Sequence, residues 1–259
     1  VPSISVIIPV YNDADLLRTC LAAIAAQTRP ADEVIVVDNA STDASADVAR
    51  EAGARIVPEP HRGILWATTA GFDAATGDIL ARLDADSVPP PRWLERIEAD
   101  FQTQPEASAI TGTAWFYGGT AFSRWFGRYC FLGAYFTLIA YLLGHPPLFG
   151  SNFALRADAW QRMRDGLHLS RNDVHDDLDL SYRIEPDMRV IFDRNLGMSI
   201  SARPFGTVAG FLRRVGWGFA TVFVNEREQP FWRRRAERRA AGLIGAPLAP
   251  WHKAQAGRD

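Results

Sequence analysis

Two spacings of apolar residues alternate along the first ninety or so positions. Short, nearly continuous apolar runs occupy residues 3–10, 33–37, 54–57 and 79–83. Runs of that length, bounded by turn residues, predict buried strands. Between them the apolar positions fall at helical spacing. Leu16, Leu17, Cys20, Leu21 and Ile24 form one such set, with Asn12 or Asp13 placed to cap the helix. Ser41, Thr42 and Asp43 can cap a second helix, and a third is predicted over residues 64–75, closed by Gly77. Four strands alternating with helices predict a doubly wound, mostly parallel sheet with helices on its faces.

Beyond this repeat the pattern changes. A helix is predicted over residues 93–101 and a strand over 108–113. Residues 125–143 are dense in Phe, Tyr, Leu and Ala, and Arg128 is their only charge. The uncharged stretch 129–143 is short of the ~20 residues that span a bilayer. A core helix, an interfacial helix and the wall of a groove for a lipid all fit it. An irregular loop from Phe149 runs into a strand near Arg156, and His175 opens a helix with Asp176, Asp177 and Asp179 near its start. A short strand over 189–192 and an amphipathic helix over 207–224 follow. The division expected is 1–113 and 114–225 for two halves of the same domain, and 226–259 for a basic tail.

Composition narrows the function. The net charge of −2 excludes a global nucleic-acid-binding role. The only two cysteines, Cys20 and Cys130, each stand alone in apolar surroundings, which fits a reducing compartment and no disulfide framework. Residues 1–10 lack the basic flank and cleavage site of a signal peptide. The expected location is the cytoplasm, at the inner face of a membrane if the basic, aromatic stretch from Arg203 to Arg239 meets anionic lipid.

Candidate chemistry gathers at one edge. The fourth strand ends in Asp84-Ala85-Asp86, followed by Pro89, Pro90 and Pro91. Carboxyl ends of parallel strands are where open α/β sheets bind ligands. Two carboxylates one residue apart repel unless a cation or proton joins them. A hard divalent ion that also holds phosphate oxygens fits that need. No Gly-x-Gly-x-x-Gly follows the first strand and no Walker loop is present, so a diphosphate would depend on metal neutralisation. An isolated Asp-x-Asp also occurs as a plain solvated turn.

Four motifs in order change that balance: Val6-Ile-Ile-Pro-Val-Tyr11-Asn12, Val36-Val-Asp38-Asn-Ala-Ser-Thr-Asp43, Leu83-Asp84-Ala-Asp86 and Asp176-Asp177-Leu-Asp179-Leu-Ser-Tyr-Arg183. With them the chain resembles family 2 glycosyltransferases of the GT-A fold, a Rossmann-like α/β architecture. The resemblance implies an inverting hexosyltransferase with a nucleotide-diphosphate sugar donor, UDP by preference, and Mn²⁺ or Mg²⁺. It implies a glycan or lipid-linked acceptor. By the same resemblance Pro9, Tyr11 and Asn12 line the base pocket, Asp38 meets the base NH and Arg62 lies near base or diphosphate. Asp84 and Ala85 lie against the donor, Asp84 and Asp86 serve the metal, and Asp177 is the general base. Gly150, Ser151, Asn152 and Asp176 fall on the acceptor side.

The sequence departs from the family pattern at three places. Thr69 stands where an Asn is usual, Asp176 shortens a usual Glu, and no Gln-x-x-Arg-Trp of processive synthases occurs. Two rivals remain open at this level. A haloacid-dehalogenase-like phosphohydrolase would use Asp84 as nucleophile, although Lys253 is the only lysine. A non-catalytic nucleotide-sugar-binding module would not need Asp177.

Overall fold

The computed structural model describes residues 1–205 and 207–244. One eight-stranded sheet organises the chain, with spatial order β3-β2-β1-β4-β7-β6-β8-β5. Strand β1 (Ile4–Val10) is buried along its whole length, because β2 (Glu33–Asp38) and β4 (Ile79–Arg82) flank it in parallel register. Strand β3 (Arg55–Pro58) extends this parallel set at the edge. The period-two alternation of a strand then sends its side chains to two faces. Ile4, Val6, Ile8 and Val10 join one core cluster with Leu17, Cys20, Leu21 and Ile24 of helix α1 (Ala14–Ala25). Ile7 joins the opposite cluster with Phe72 of helix α3 (Ile64–Ala74). A buried Ile or Val side chain contributes about 1.5–3 kcal/mol, so β1 is the stabilising axis of this half.

Helix α2 (Ser45–Glu51) completes the repeat, and the mostly parallel sheet read from the sequence is the one found. Gly71 of α3 has a physical reason, since a Cβ there would collide with Ile7 and Val37 of the sheet. The chain then passes the two-residue strand β5 (Ser87–Val88) and helix α4 (Trp93–Thr103).

The second half is mixed. Strand β7 (Phe153–Arg156) runs antiparallel between β4 and β6 (Ala107–Tyr117), and β8 (Arg189–Ser201) runs parallel to β6. Strand β8 is longer than the predicted 189–192. An irregularity opposite Gly112 and Thr113 inserts residues 194–196, and β8 then resumes pairing from Gly197. Leu196 presses so closely on Gly112 that a Cβ there would strike its carbonyl. The 113/114 boundary falls inside β6 and the 225/226 boundary inside a helix, so the expected divisions are continuous in the fold.

Among the described residues five helices complete this half: α5 (Ala121–Leu143), α6 (Ala157–Met163), α7 (Asp176–Tyr182), α8 (Val208–Glu228) and α9 (Phe231–Ala240). Helix α5 begins eight residues before the uncharged stretch and contains two π-type turns. It is long and apolar enough to cross a membrane. Its inner side nevertheless packs Leu132, Phe136, Ile139 and Leu143 into the protein, while Phe122, Trp125, Leu138 and Tyr141 are exposed. Phe126 and Phe131 of α5 meet Phe205 and Phe211 edge-on, which zips α5 to α8.

The basic tail differs from a solvated arginine face. Arg234 and Arg238 of α9 are buried. Arg238 donates to the carbonyls of Gly144, Glu185 and Met188, and Arg234 lies over Tyr182. Lys253 and the end of the 226–259 segment lie outside the described residues.

Candidate active site

The carboxyl ends of β1, β2 and β4 share one edge, and local turns fix the polar residues there. Asn12 takes a left-handed φ of 48° and accepts from the Thr42 backbone N–H through Oδ1 at 2.7 Å. Asp38 Oδ1 accepts from Ser41 N–H at 3.0 Å, a side-chain-closed turn that orients the carboxylate. Asp43 accepts from Ser45 N–H and Oγ–H and from Ala14 N–H, so one carboxylate caps the starts of both α2 and α1. That frees Asp13, at the N-cap position of α1, for another partner. Asn39 bridges the next loop. Its Nδ2 donates to the carbonyls of Glu59 and His61, and its Oδ1 accepts from Gly63 N–H. The bridge fixes the loop that holds Arg62, whose guanidinium carbon lies 3.5 Å from the centre of the exposed Tyr11 ring. Pro9 is buried near the end of β1 and pairs in register with Val37 of β2. Pro9, Tyr11, Asn12, Asp38 and Arg62 are therefore gathered at one edge.

The paired acids after β4 face different ways. Asp84 Oδ1 lies 2.9 Å from Arg82, and its Oδ2 accepts from Ser151 Oγ–H at 2.5 Å. Among the described residues the Asp86 carboxylate pairs only with Arg203, through Oδ2 at 3.2 Å, while Tyr117 O–H binds its backbone carbonyl. Burial, then the neighbouring Asp84 charge, push the Asp86 carboxyl up to about 6 against the pull of Arg203. Asp86 is thus a hard oxygen donor short of positive charge, which fits a divalent cation. The described residues contain no cluster of three or more His, Cys, Asp or Glu side chains able to cage a metal. Such an ion would depend on phosphate oxygens for the rest of its shell, the usual arrangement for Mg²⁺-type sites. Ala85, between the acids, is buried.

The residues expected on the acceptor side reach this edge through Arg82, which the sequence shows only as a break in an apolar run. Its side chain is 2% exposed and bridges Asp84 and Asp176, with Asp176 Oδ2 at 2.8 Å. Asp176 also accepts from Thr68 Oγ–H at 3.2 Å. Gly150 sits directly on Arg82, where any Cβ would collide with the guanidinium. The backbone N–H of Gly150 donates to Asp177 Oδ2 at 2.9 Å. Burial, then the charge of Asp176, raise Asp177 to about 6, against the lowering pull of His175, Gly150 N–H and Arg82. Asp177 is half-buried with one oxygen held by Gly150.

Asn152 departs from its expected place. It is fully buried, accepts from Trp93 Nε1–H at 2.8 Å and donates to the carbonyls of Thr113 and Leu196. It joins α4, β6 and β8, with both polar atoms of its amide engaged inside the protein. Thr69, in place of the family Asn, has a buried hydroxyl with no partner. Asp179 and Arg183 form the expected pair at 3.8 Å, with His168 also on Asp179.

A doubly wound half ending in paired acids, joined to a mixed sheet whose helix α7 brings a second acidic pair to the same edge through Arg82, is a GT-A glycosyltransferase architecture. Solved structures share it. Mycobacterium tuberculosis glucosyl-3-phosphoglycerate synthase, in complex with Mn²⁺, UDP and glucosyl-3-phosphoglycerate, superposes with a TM-score of 0.62 at 22% identity, over 86% of this chain and 80% of that one. A Pyrobaculum calidifontis mannosyltransferase in complex with GDP-Man and Mn²⁺ gives 0.60 at 21% identity, over 97% and 77%. The chain belongs to glycosyl transferase family 2, whose family model matches residues 5–163. Among curated relatives, glycosyltransferase AglE of Haloferax volcanii is 40% identical over 103 residues, covering 37% of this chain and 34% of that protein. An undecaprenyl-phosphate 4-deoxy-4-formamido-L-arabinose transferase of Pseudomonas fluorescens is 38% identical over 109 residues, covering 38% and 32%. The matched region spans about a third of these relatives.

Proposed function

We propose that the chain is an inverting, metal-dependent hexosyltransferase that moves a sugar from a nucleotide-diphosphate donor, a UDP-sugar, to a glycan or lipid-linked acceptor. The carrying observation is a pair of acidic stations joined by Arg82, which bridges Asp84 and Asp176: Asp86 stands beside the first, short of cations, and the half-buried Asp177 beside the second, both with raised pKa. An inverting transfer needs both. The acceptor oxygen attacks the anomeric carbon on the face opposite the diphosphate. The new C–O bond forms as the bond to the diphosphate breaks, and the acceptor proton passes to the Asp177 carboxylate. Gly150 N–H fixes the orientation of that carboxylate. Tyr11, Arg62 and Asp38 receive the base, and Asp84, held by Arg82 and Ser151, keeps further lone pairs for a ribose hydroxyl or a metal-bound water. A bound Mn²⁺ or Mg²⁺ at Asp86 supplies neutralisation of the leaving diphosphate.

The phosphohydrolase rival does not fit the family membership, and it needs Asp84 as a nucleophile although both its oxygens are engaged. A lipid-linked acceptor draws support from the exposed aromatic side of α5 and α8 and from the undecaprenyl-phosphate transferase among the relatives. It suits action in the cytoplasm at the inner face of a membrane.

Thermal shift with UDP, GDP and dTDP, with and without Mn²⁺, tests the reading. A ligand at a hundred times its Kd stabilises by about 2.7 kcal/mol. For a domain of this size that is a rise of about 5–10 °C. The rise is expected with UDP and Mn²⁺ together, and Asp86→Ala should abolish its metal-dependent part. An equal rise without metal, or in Asp86→Ala, overturns the assignment of Asp86.

A further inference from the structure

Arg203 lies on the acceptor half, in the single turn Arg203–Phe205 that follows β8. Its partners lie on the donor half. Asp13, in the loop between β1 and α1, takes two hydrogen bonds at 3.0 and 2.5 Å, and Asp86 takes one at 3.2 Å. These contacts join residues 190 and 117 positions apart, so one side chain ties the turn after β8 to both sides of the acidic edge. We propose that Arg203 is a transferable counter-ion: it neutralises Asp13 and Asp86 in the free protein, yields Asp86 to a divalent cation, and turns its guanidinium to the donor diphosphate as the site fills. The inference rests on the donor chemistry proposed above.

The two arginines of the site make the argument by contrast. Arg82 is enclosed, and its bonds to Asp84 and Asp176 cannot be exchanged for water without leaving buried charge. The Arg203 side chain is 54% exposed, so its head can rotate into water at small cost. Its grip on Asp86 is a single N–H at the long end of the hydrogen-bond range, while the fork is reserved for Asp13. A divalent ion on Asp86 would stand a few ångströms from that guanidinium, and like charges at such a distance repel. An arriving diphosphate reverses the balance, because a guanidinium fork matches paired phosphate oxygens. Asp13 keeps the arginine tethered at the mouth of the site throughout.

Calorimetry on the full chain tests this, with Mn²⁺ alone and then UDP at saturating Mn²⁺, on wild type, Arg203→Gln and Arg203→Lys. Losing the competing cation should tighten Mn²⁺ binding in Arg203→Gln by roughly three- to tenfold. Losing a charge-assisted phosphate contact should weaken UDP by roughly ten- to a hundredfold. Arg203→Lys should fall between, with the charge kept and the fork lost. A melt in metal-free buffer, expected to match wild type, shows that the variant folds. Unchanged or weaker Mn²⁺ binding in Arg203→Gln overturns the competition. Unchanged UDP binding overturns the hand-over while leaving the proposed function standing. Wild type that binds no UDP with Mn²⁺ overturns both.

Discussion

The donor half and the acceptor half solve the same problem by different means. At the ends of β1 and β2 the polar side chains are held within the same strand-and-helix repeat: Asp38 by Ser41 and Asp43 by Ser45 inside single turns, Asn12 by Thr42 and Asn39 by the Glu59–Gly63 loop from the next strand end. The acceptor side is held from afar. Asp176 leans on Arg82 and Thr68, Ser151 on Asp84, and Arg203 on Asp13. The first half can assemble its site from turns and caps. The second has a site only after the sheet has closed, because its charged groups are compensated across the seam.

The largest effect should come from the base. Asp177→Asn keeps the shape and the hydrogen bond from Gly150 but cannot take a proton. Transfer should fall by roughly 10²–10⁴-fold, the usual weight of general-base catalysis, while donor binding stays as in wild type. The sign with pH follows from the raised carboxyl. Below about 6 Asp177 carries its proton and cannot accept another, so wild-type kcat/KM should climb towards that pH and level above it. A steady-state profile at saturating Mn²⁺, which holds the Asp86 carboxylate ionised, checks this, and the limb that belongs to Asp177 should disappear from whatever activity Asp177→Asn retains. Undiminished transfer in Asp177→Asn would make the second half a binding surface and revive the non-catalytic module.

The seam itself comes next. Arg82→Met leaves Asp84 and Asp176 without their buried cation, and breaking one partner of a buried pair costs about 3–5 kcal/mol. Urea unfolding should show this as a lower midpoint. An unchanged midpoint would mean that the halves are held by apolar packing alone.

The same contrast explains what could be read in advance. Strands β1 to β4 and their helices stand within about a residue or two of their predicted bounds, because burial on both faces writes itself as an uninterrupted apolar run. The four motifs supplied the donor-side residues for the same local reason. Strand β8 was cut short at Phe192 because Asp193-Arg194-Asn195 looks like an ending, whereas it is an irregularity after which pairing with β6 resumes. Arg82 looked like a blemish in a strand, since its carboxylate partners lie two and 94 positions away and only the second reveals a seam. Asn152 and Asn39 had no signal of their own, because a buried amide is defined by backbone groups that the fold delivers later. Helix α6 was missed entirely.

The smallest effect concerns the outer side of the acceptor half, where the comparison is one of surfaces. The donor half buries its large apolar side chains almost completely, apart from Tyr11 and Ile64 and the terminal Val1. On the acceptor half Phe122 and Trp125 of α5, Leu212, Phe219 and Phe223 of α8, and Trp232 of α9 stand exposed. Arg213, Arg227 and Arg235 lie over Trp217, Phe223 and Tyr141, a mixture suited to the headgroup region of a bilayer. Of the nine arginines between Arg203 and Arg239, Arg234 and Arg238 are buried, on Glu226 and on backbone carbonyls, and the exposed Arg203 is paired with Asp13. The charge available to an anionic leaflet is therefore smaller than the sequence suggests, and the aromatic side chains matter more. The protein should sediment with anionic vesicles, less with neutral ones, and less again at high salt. Trp125→Ser should weaken that binding roughly ten- to a hundredfold, since burying a large apolar side chain is worth about 1.5–3 kcal/mol. An equivalent change at Ile64, on the donor half, should leave it untouched. Equal loss from both substitutions, or sedimentation indifferent to lipid charge, would remove the distinction between the two surfaces and with it the case for a lipid-borne acceptor.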